Sequence, residues 1–410
     1  MKNKSITILI IVLLVLIGGI TTYLVFFNNK VDDIKKEDTK TETKTETKTD
    51  TTSTDKYDFS SYETSDIDLN KESKLSITKQ GVYNLSGTLN GYIEINTEEN
   101  VVLSFKNVTI NNTSGPCINV VNAKNVYIKL EGENTLTDGS NYTGFEEADA
   151  CIYSKDDLII YGDGILNVNA NYGDGIVSKD DLEINSGTFN ITSNDDSIKG
   201  KDSVSIETGT FNIKAGGDGI KTTNEEDINK GIITINGGDI TINSTTDGFD
   251  STNKIIINNG NINIDSGDDG IHADGYIEIN NGTINISGVE GIESTTIKIN
   301  DGTINISASD DGINSGNKRS DYQVLTEING GNITIKMAQG DTDGIDSNGD
   351  LTITGGTINI TGQSAFDYDG TATYTGGTLI VNGEEIHELT NQMMGPGGME
   401  PGGMNGQRMR

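Results

Sequence analysis

Short runs of alternating apolar and polar residues, I-x-I followed by G-x-[IF]-[NT]-I, recur along the chain, each run introduced by a glycine-bearing corner. Residues 268–311 show the unit plainly: DDGIHADGYIEINNGTINIS is followed by VEGIESTTIKINDGTINISAS and then by DDGI again. Taking the residue after the corner as an anchor, the pattern falls at Ile152, Ile176, Ile198, Ile220, Phe249, Ile271, Ile292, Ile313, Ile345 and Phe366. The spacings are 24, 22, 22, 29, 22, 21, 21, 32 and 21. Period-2 alternation predicts strands with one inward face, and a fixed repeat near 22 predicts units that bury that face by stacking on their neighbours. The expected fold is all-β: a single-stranded parallel β-helix, or solenoid, of about 21–24 residues per coil.

Residues 59–387 are read as this one domain, with less regular strands from Leu75 to about residue 139 forming its capping end. Three insertions interrupt it: residues 138–147 carry Tyr142 and Phe145, and residues 221–231 and 315–325 both follow a corner. Insertions at one point of a repeat emerge on one side, so that edge is a candidate for partner contact or simply a tolerant surface.

Ahead of the repeat, residues 6–27 are nearly all apolar and long enough to cross a bilayer as a helix. Lys2 and Lys4 precede the segment, and no A-x-A cleavage pattern follows it, so an uncleaved signal anchor, residues 1–27, is expected. Secretion after cleavage is the alternative. Residues 28–58 form a Thr/Lys/Glu stalk and residues 388–410 a Gly/Met/Pro tail, both expected to be disordered. The domain is placed on the extracellular face, anchored to the cell membrane, and expected to be a monomer.

Composition sharpens this picture. Fifty-one glycines and 33% apolar residues suit a thin core with glycine corners. The formal net charge of −33 excludes a basic nucleic-acid-binding surface and predicts repulsion of anionic polymers unless a cation intervenes. Cys117 and Cys151 each precede an inward Ile and are expected on adjacent coils as free or strained thiols, because the rung spacing of about 4.8 Å exceeds ordinary disulfide geometry.

Aligning the coils produces columns. Two positions before the anchor stand Asp174, Asp196, Asp218, Asp247, Asp269, Glu290, Asp311 and Asp343. Carboxylates about 5 Å apart repel by roughly 3 kcal/mol at an effective dielectric near 20. One position after the anchor the column reads Val177, Lys199, Lys221, Asp250, His272, Glu293, Asn314, Asp346 and Asp367, so lysine can balance the first half only. In the second half Asp247, Asp250, Asp268, Asp269, Glu290, Glu293, Asp310, Asp311, Asp343 and Asp346 gather hard oxygen donors at glycine corners, which suits Ca2+. His272 reads as an ion-pair partner, and a solvated acidic edge is the competing reading. Lys155, Lys179 and Lys201 join Lys199 and Lys221 in a basic stripe, with Tyr153 and Tyr172 nearby; these seven residues suit an acidic glycan, unless Asp156, Asp157, Asp180, Asp181 and Asp202 take the lysines. Outward from I-[NT]-I stands an Asn/Thr column from Asn167 to Asn359, able to bond sugar hydroxyls or, more simply, to bond along itself.

The motifs ENTLTDG (133–139), ADACIYSKDDL (148–158), NYGDGIVSKDDL (171–182), DDSIKGKDSV (195–204) and GGDGIK (216–221) resemble a family of bacterial carbohydrate-binding domains. The resemblance runs from about residue 75 to about residue 380. It implies a right-handed parallel β-helix similar to polysaccharide lyases, with bound Ca2+, binding cellulose and polygalacturonate without established catalysis. The expected function is therefore a non-catalytic surface binder of plant cell-wall polysaccharide, acidic pectin above all. A Ca2+-dependent pectate-lyase-like enzyme using Lys199 or Lys221 as base, and a passive surface stalk, are the alternatives.

Overall fold

The computed structural model describes residues 57–340 and 342–391. From Phe59 onward the described residues form one compact unit. The expected membrane helix, stalk and most of the tail lie outside the described residues; among the described residues no helix is long and apolar enough to cross a membrane.

Most coils pass through three short strands, and in two of them the first two strands run together as Ile271–Ile279 and Ile292–Ile299. Asp174–Ser178, Asp181–Ile184 and Thr188–Ser193 make one coil. The next coil repeats them as Ile198–Gly200, Ser203–Ile206 and Thr210–Ala215. These strands pair in parallel with their equivalents one coil on, so three parallel sheets wrap one core. The result is a β-solenoid of about 14 turns. The anchors stack in register: Ile176 on Ile198, Ile220, Phe249, Ile271, Ile292, Ile313, Ile345 and Phe366. We call the three faces the corner face, which carries the anchors, the middle face, and the third face, which carries I-[NT]-I.

Inward side chains form continuous apolar columns, with nearly every Ile fully buried, each worth about 2–3 kcal/mol of transfer free energy. Phe189 and Phe211 stack one above the other, with centroids 4.8 Å apart and planes inclined by 4°. The corner glycine is required by close approach: a Cβ on Gly248 would lie 2.4 Å from the Gly270 carbonyl oxygen. Cys117 and Cys151 are buried free thiols on adjacent coils, as the rung spacing implied. At the C-terminal end Glu384–Ile386 folds back antiparallel on Thr378–Val381, which covers an edge otherwise open to further pairing.

The later two insertions do not splay outward. Asn253 donates to the Ile228 and Lys230 carbonyls of the first, both at 2.7 Å, and its Oδ1 accepts from Tyr322 of the second at 2.8 Å. Arg319 Nη1 donates to the Thr252 carbonyl at 3.0 Å, so one asparagine turn staples both loops to the middle face.

Candidate functional site

The corner column is more than a row of acids. Oδ1 of five of the aspartates accepts the backbone N–H of the counterpart one coil on: Asp174 from Asp196 at 3.0 Å, Asp196 from Asp218 at 2.9 Å, Asp218 from Asp247 at 2.8 Å, Asp247 from Asp269 at 2.9 Å and Asp311 from Asp343 at 2.9 Å. A strand turning a corner tilts this N–H out of the regular ladder, and the short Asp side chain reaches it. Each carboxylate is thus half spent on the fold, which leaves Oδ2 to be matched.

In the first coils the match is built in. Lys199 Nζ lies between Asp174 and Asp196, 3.1 Å from the latter, with only 14% of its side chain exposed. Lys221 Nζ contacts Asp218 and lies 2.9 Å from Asp250 Oδ2. Burial pulls both lysines toward the neutral form, but the paired carboxylates outweigh it and hold both well above the ordinary lysine range. Next, His272 Nδ1 lies 3.1 Å from Asp269 Oδ2 and 2.9 Å from Glu293 Oε2. Burial lowers its pKa, yet hydrogen bonds to Asp269, Asp274 and Glu293 win and push it up to about 12. Lys318, delivered by the second insertion, lies 2.5 Å from Glu293 Oε1. Burial would raise Glu293, but His272 and Lys318 drag it down to about 2.

Beyond Glu293 the character changes. Glu290, Asn314, Asp311, Asp343, Asp346 and Asp367 share the last corners. Burial, then repulsion from Glu293 and Asp269, pushes Glu290 up to about 8, even though its carboxylate accepts from Asn314 Nδ2 at 3.1 Å. Burial, then Asp311, Asp367 and Asp343, pushes Asp346 up to about 7. Buried oxygens Asn314 Oδ1 and Asp367 Oδ1 have no hydrogen-bond partner. All-oxygen donors, like charges crowded together and orphaned buried oxygens fit a hard divalent cation.

Of the ten acids expected to hold Ca2+, the structure therefore separates three sets. Asp250 and Glu293 face lysines, while Asp269 faces His272. Asp247 stands within 4.8 Å of Asp218 and Asp250 in a group into which Lys221 reaches. Asp268 and Asp310 are exposed outside the column, whereas Glu290, Asp311, Asp343 and Asp346 share the last corners with Asn314 and Asp367.

The expected basic stripe divides in the same way. Lys199 and Lys221 turn into the acidic corner. Lys155 pairs with Glu147, and Lys179 lies 3.2 Å from Asp149 and 5.5 Å from the Tyr153 ring centre. Lys155 and Lys179 thus pair with acids of the 138–149 segment and not with the aspartates that follow them, and Asp202 pairs with Lys230 of the first insertion. Lys201 is exposed. Tyr153 is only 3% exposed, whereas Tyr172 is 45% exposed and stacks on Tyr142 at 4.2 Å. Sequence reasoning missed a second acidic group, Asp157, Asp180 and Asp181, with oxygens within 4.8 Å of one another. Its signal is the S-K-D-D run repeated at 154–157 and 178–181. Contact with Asp202, then burial, pushes Asp180 up to about 7.

Fold and corner together define a parallel β-solenoid with one charge-organised edge. A family model described as "Carbohydrate-binding domain-containing protein" matches residues 71–269 and 266–387, and the chain belongs to that family. A carbohydrate-binding domain-containing protein of Acetivibrio thermocellus is 39% identical over 129 residues, which cover 29% of this chain and 45% of the relative. The match thus spans less than half of that relative's length. Among solved structures, the polysaccharide lyase-like protein from C. thermocellum, a gadolinium derivative, superposes with a TM-score of 0.51 at 34% identity, covering 53% of this chain and 96% of the other.

Proposed function

We propose that the protein is a non-catalytic polysaccharide binder, loaded with Ca2+ at its last corners and held on the outer face of the cell membrane through residues 6–27. The observation that carries the metal is the run of corner carboxylates at Glu290, Asp311, Asp343, Asp346 and Asp367, where, among the described residues, the buried oxygens Asn314 Oδ1 and Asp367 Oδ1 have no hydrogen-bond partner. Glu290, Asp311, Asn314, Asp343, Asp346 and Asp367 lie on four successive coils, so ions would be held between adjacent coils by neighbouring members of this set. Bound there, Ca2+ supplies the positive charge that an acidic glycan such as polygalacturonate needs to approach a chain of net charge −33.

The description of that relative as lyase-like keeps an eliminating enzyme in view. Elimination needs a neutral lysine or an arginine base near a metal-bound uronate. The lysines first considered, Lys199 and Lys221, are held protonated by two carboxylates each, which favours binding over catalysis. Retention of the full chain on immobilised polygalacturonate in excess Ca2+, its release by EDTA and the absence of unsaturated product are the expected results. Retention unaffected by EDTA contradicts the bridging cation, and unsaturated product contradicts the non-catalytic assignment.

A further inference from the structure

The first insertion ends on a lysine that meets a nearly dry carboxyl. Lys230 Nζ contacts Asp202 Oδ2, and only 6% of the Asp202 side chain is exposed. The backbone fixes this meeting from both sides. Gly231 and Ile232 donate to the Asp202 carbonyl at 2.7 and 3.2 Å, while Asn253 Nδ2 holds the Lys230 carbonyl at 2.7 Å. Gly231 stands at φ +67°, and a Cβ there would lie 2.7 Å from the Asn224 carbonyl oxygen, so the turn back onto Asp202 needs glycine.

Two further groups surround the same carboxyl. Asn224 Nδ2 donates to Asp202 Oδ1 at 2.5 Å. Asp180 stands one coil back, where its backbone carbonyl accepts the Asp202 N–H at 3.1 Å and its side chain hydrogen-bonds the Asp202 carboxyl. Two carboxyl groups share a hydrogen bond only when one of them carries a proton. Contact with Asp202, then burial, keeps that proton on Asp180. Burial would raise Asp202 as well, but the hydrogen bonds from Asp180, Lys230 and Asn224 hold it below the ordinary carboxylate range.

A primary amine against a buried carboxyl, a protonated acid beside it and an amide donor on its other oxygen are the parts needed to condense amine with acid. We propose that Lys230 and Asp202 join in an intramolecular isopeptide bond, a covalent staple between the first insertion and the solenoid. Lys230 passes one proton to Asp202 Oδ2, and the freed Nζ lone pair attacks Cγ. The carbonyl electron pair moves onto Oδ1, where Asn224 Nδ2 stabilises it. Asp180 protonates the Oδ2 hydroxyl, which leaves as water, and then takes the second proton from nitrogen, so it ends as it began. In sum, ammonium and carboxylate become a secondary amide and one water, with no oxidant and no outside reagent. In bulk water the separated ions are favoured. Here the fold holds the reacting groups in contact, and condensation removes a charge from a carboxylate that has little water around it.

The test is the intact mass of the purified full chain in denaturant, followed by digestion with a protease that cleaves after lysine. The wild-type chain should be lighter than its sequence by one water, and the digest should contain a branched peptide joining residues 202 and 230, uncut after Lys230. Lys230→Arg keeps the charge and removes the nucleophile, so its mass deficit and branched peptide should both disappear. Asp180→Asn keeps the shape but not the transferable proton, and should slow formation of the branched peptide by about a hundredfold. A wild-type chain of full mass, cut after Lys230, leaves an ion pair only and overturns the proposal; this result needs no variant to fold. A water deficit without a branched peptide, as a cyclic imide at an Asp-Gly step would give, overturns it too. A branched peptide that forms equally fast in Asp180→Asn overturns the role given to Asp180.

Discussion

Lys199 carries two carboxylates in a setting where none of the three groups is well hydrated: 14% of its side chain is exposed, against 2% of Asp174 and 7% of Asp196. Removing one partner of a buried pair leaves an uncompensated charge, which costs about 3 kcal/mol or more. Lys199→Met should therefore lower unfolding free energy by about that amount in a urea titration; a loss under about 0.5 kcal/mol would contradict the pairing. His272 makes a different prediction, in pH. Its folded pKa, about 12, lies above the ordinary histidine value, so its stabilisation is complete below about pH 6.5 and drains away as pH rises from there toward 12. Wild-type stability should fall through this window at up to about 1.4 kcal/mol per pH unit from this group, and His272→Gln should flatten that fall. An identical slope in both proteins would show that the imidazole is not held charged.

At the scale of the strand and loop, much was legible in the chain. The Ile-Asn-Ile and acid–Gly–Ile spacings placed every anchor on its observed neighbour, since period-2 burial and a constant coil length leave one register in which all isoleucines point inward. The acid column and the two balancing lysines were legible for the same reason. What the spacing did not contain was anything that leaves the repeat. Lys318 and Lys230 reach the acids from insertions of irregular length, and loop paths are not encoded by periodicity. The bond from Asp Oδ1 to the next coil's N–H was also missed, because repulsion between the acids hid their use as backbone acceptors. Lys318→Ala should consequently destabilise the coils around Glu293 more than an exposed lysine warrants, by about 1–2 kcal/mol. Hydrogen exchange localised to residues 271–299 would show it, and unchanged protection there would contradict the loop's neutralising role.

Over the whole molecule, the corner face reads as one charge column balanced by two means: built-in cations from Asp174 to Glu293, and by proposal Ca2+ from Glu290 to Asp367. The raised pKa values of Glu290, about 8, and Asp346, about 7, give the metal-free protein a clear signature. Both acids bind protons more tightly folded than unfolded, so stability is greatest below about pH 4 for these groups and falls as pH rises toward 7 and 8. A cation that neutralises them removes the fall. The most direct measurement is the melting temperature of the full chain at pH 8 in excess Ca2+ and in EDTA, for wild type and for Asp346→Asn/Asp367→Asn. The account predicts a wild-type melt several degrees higher in Ca2+, since a ligand of the native state must stabilise it, and little or no Ca2+ effect in the double variant. Identical wild-type melts in Ca2+ and EDTA would contradict it.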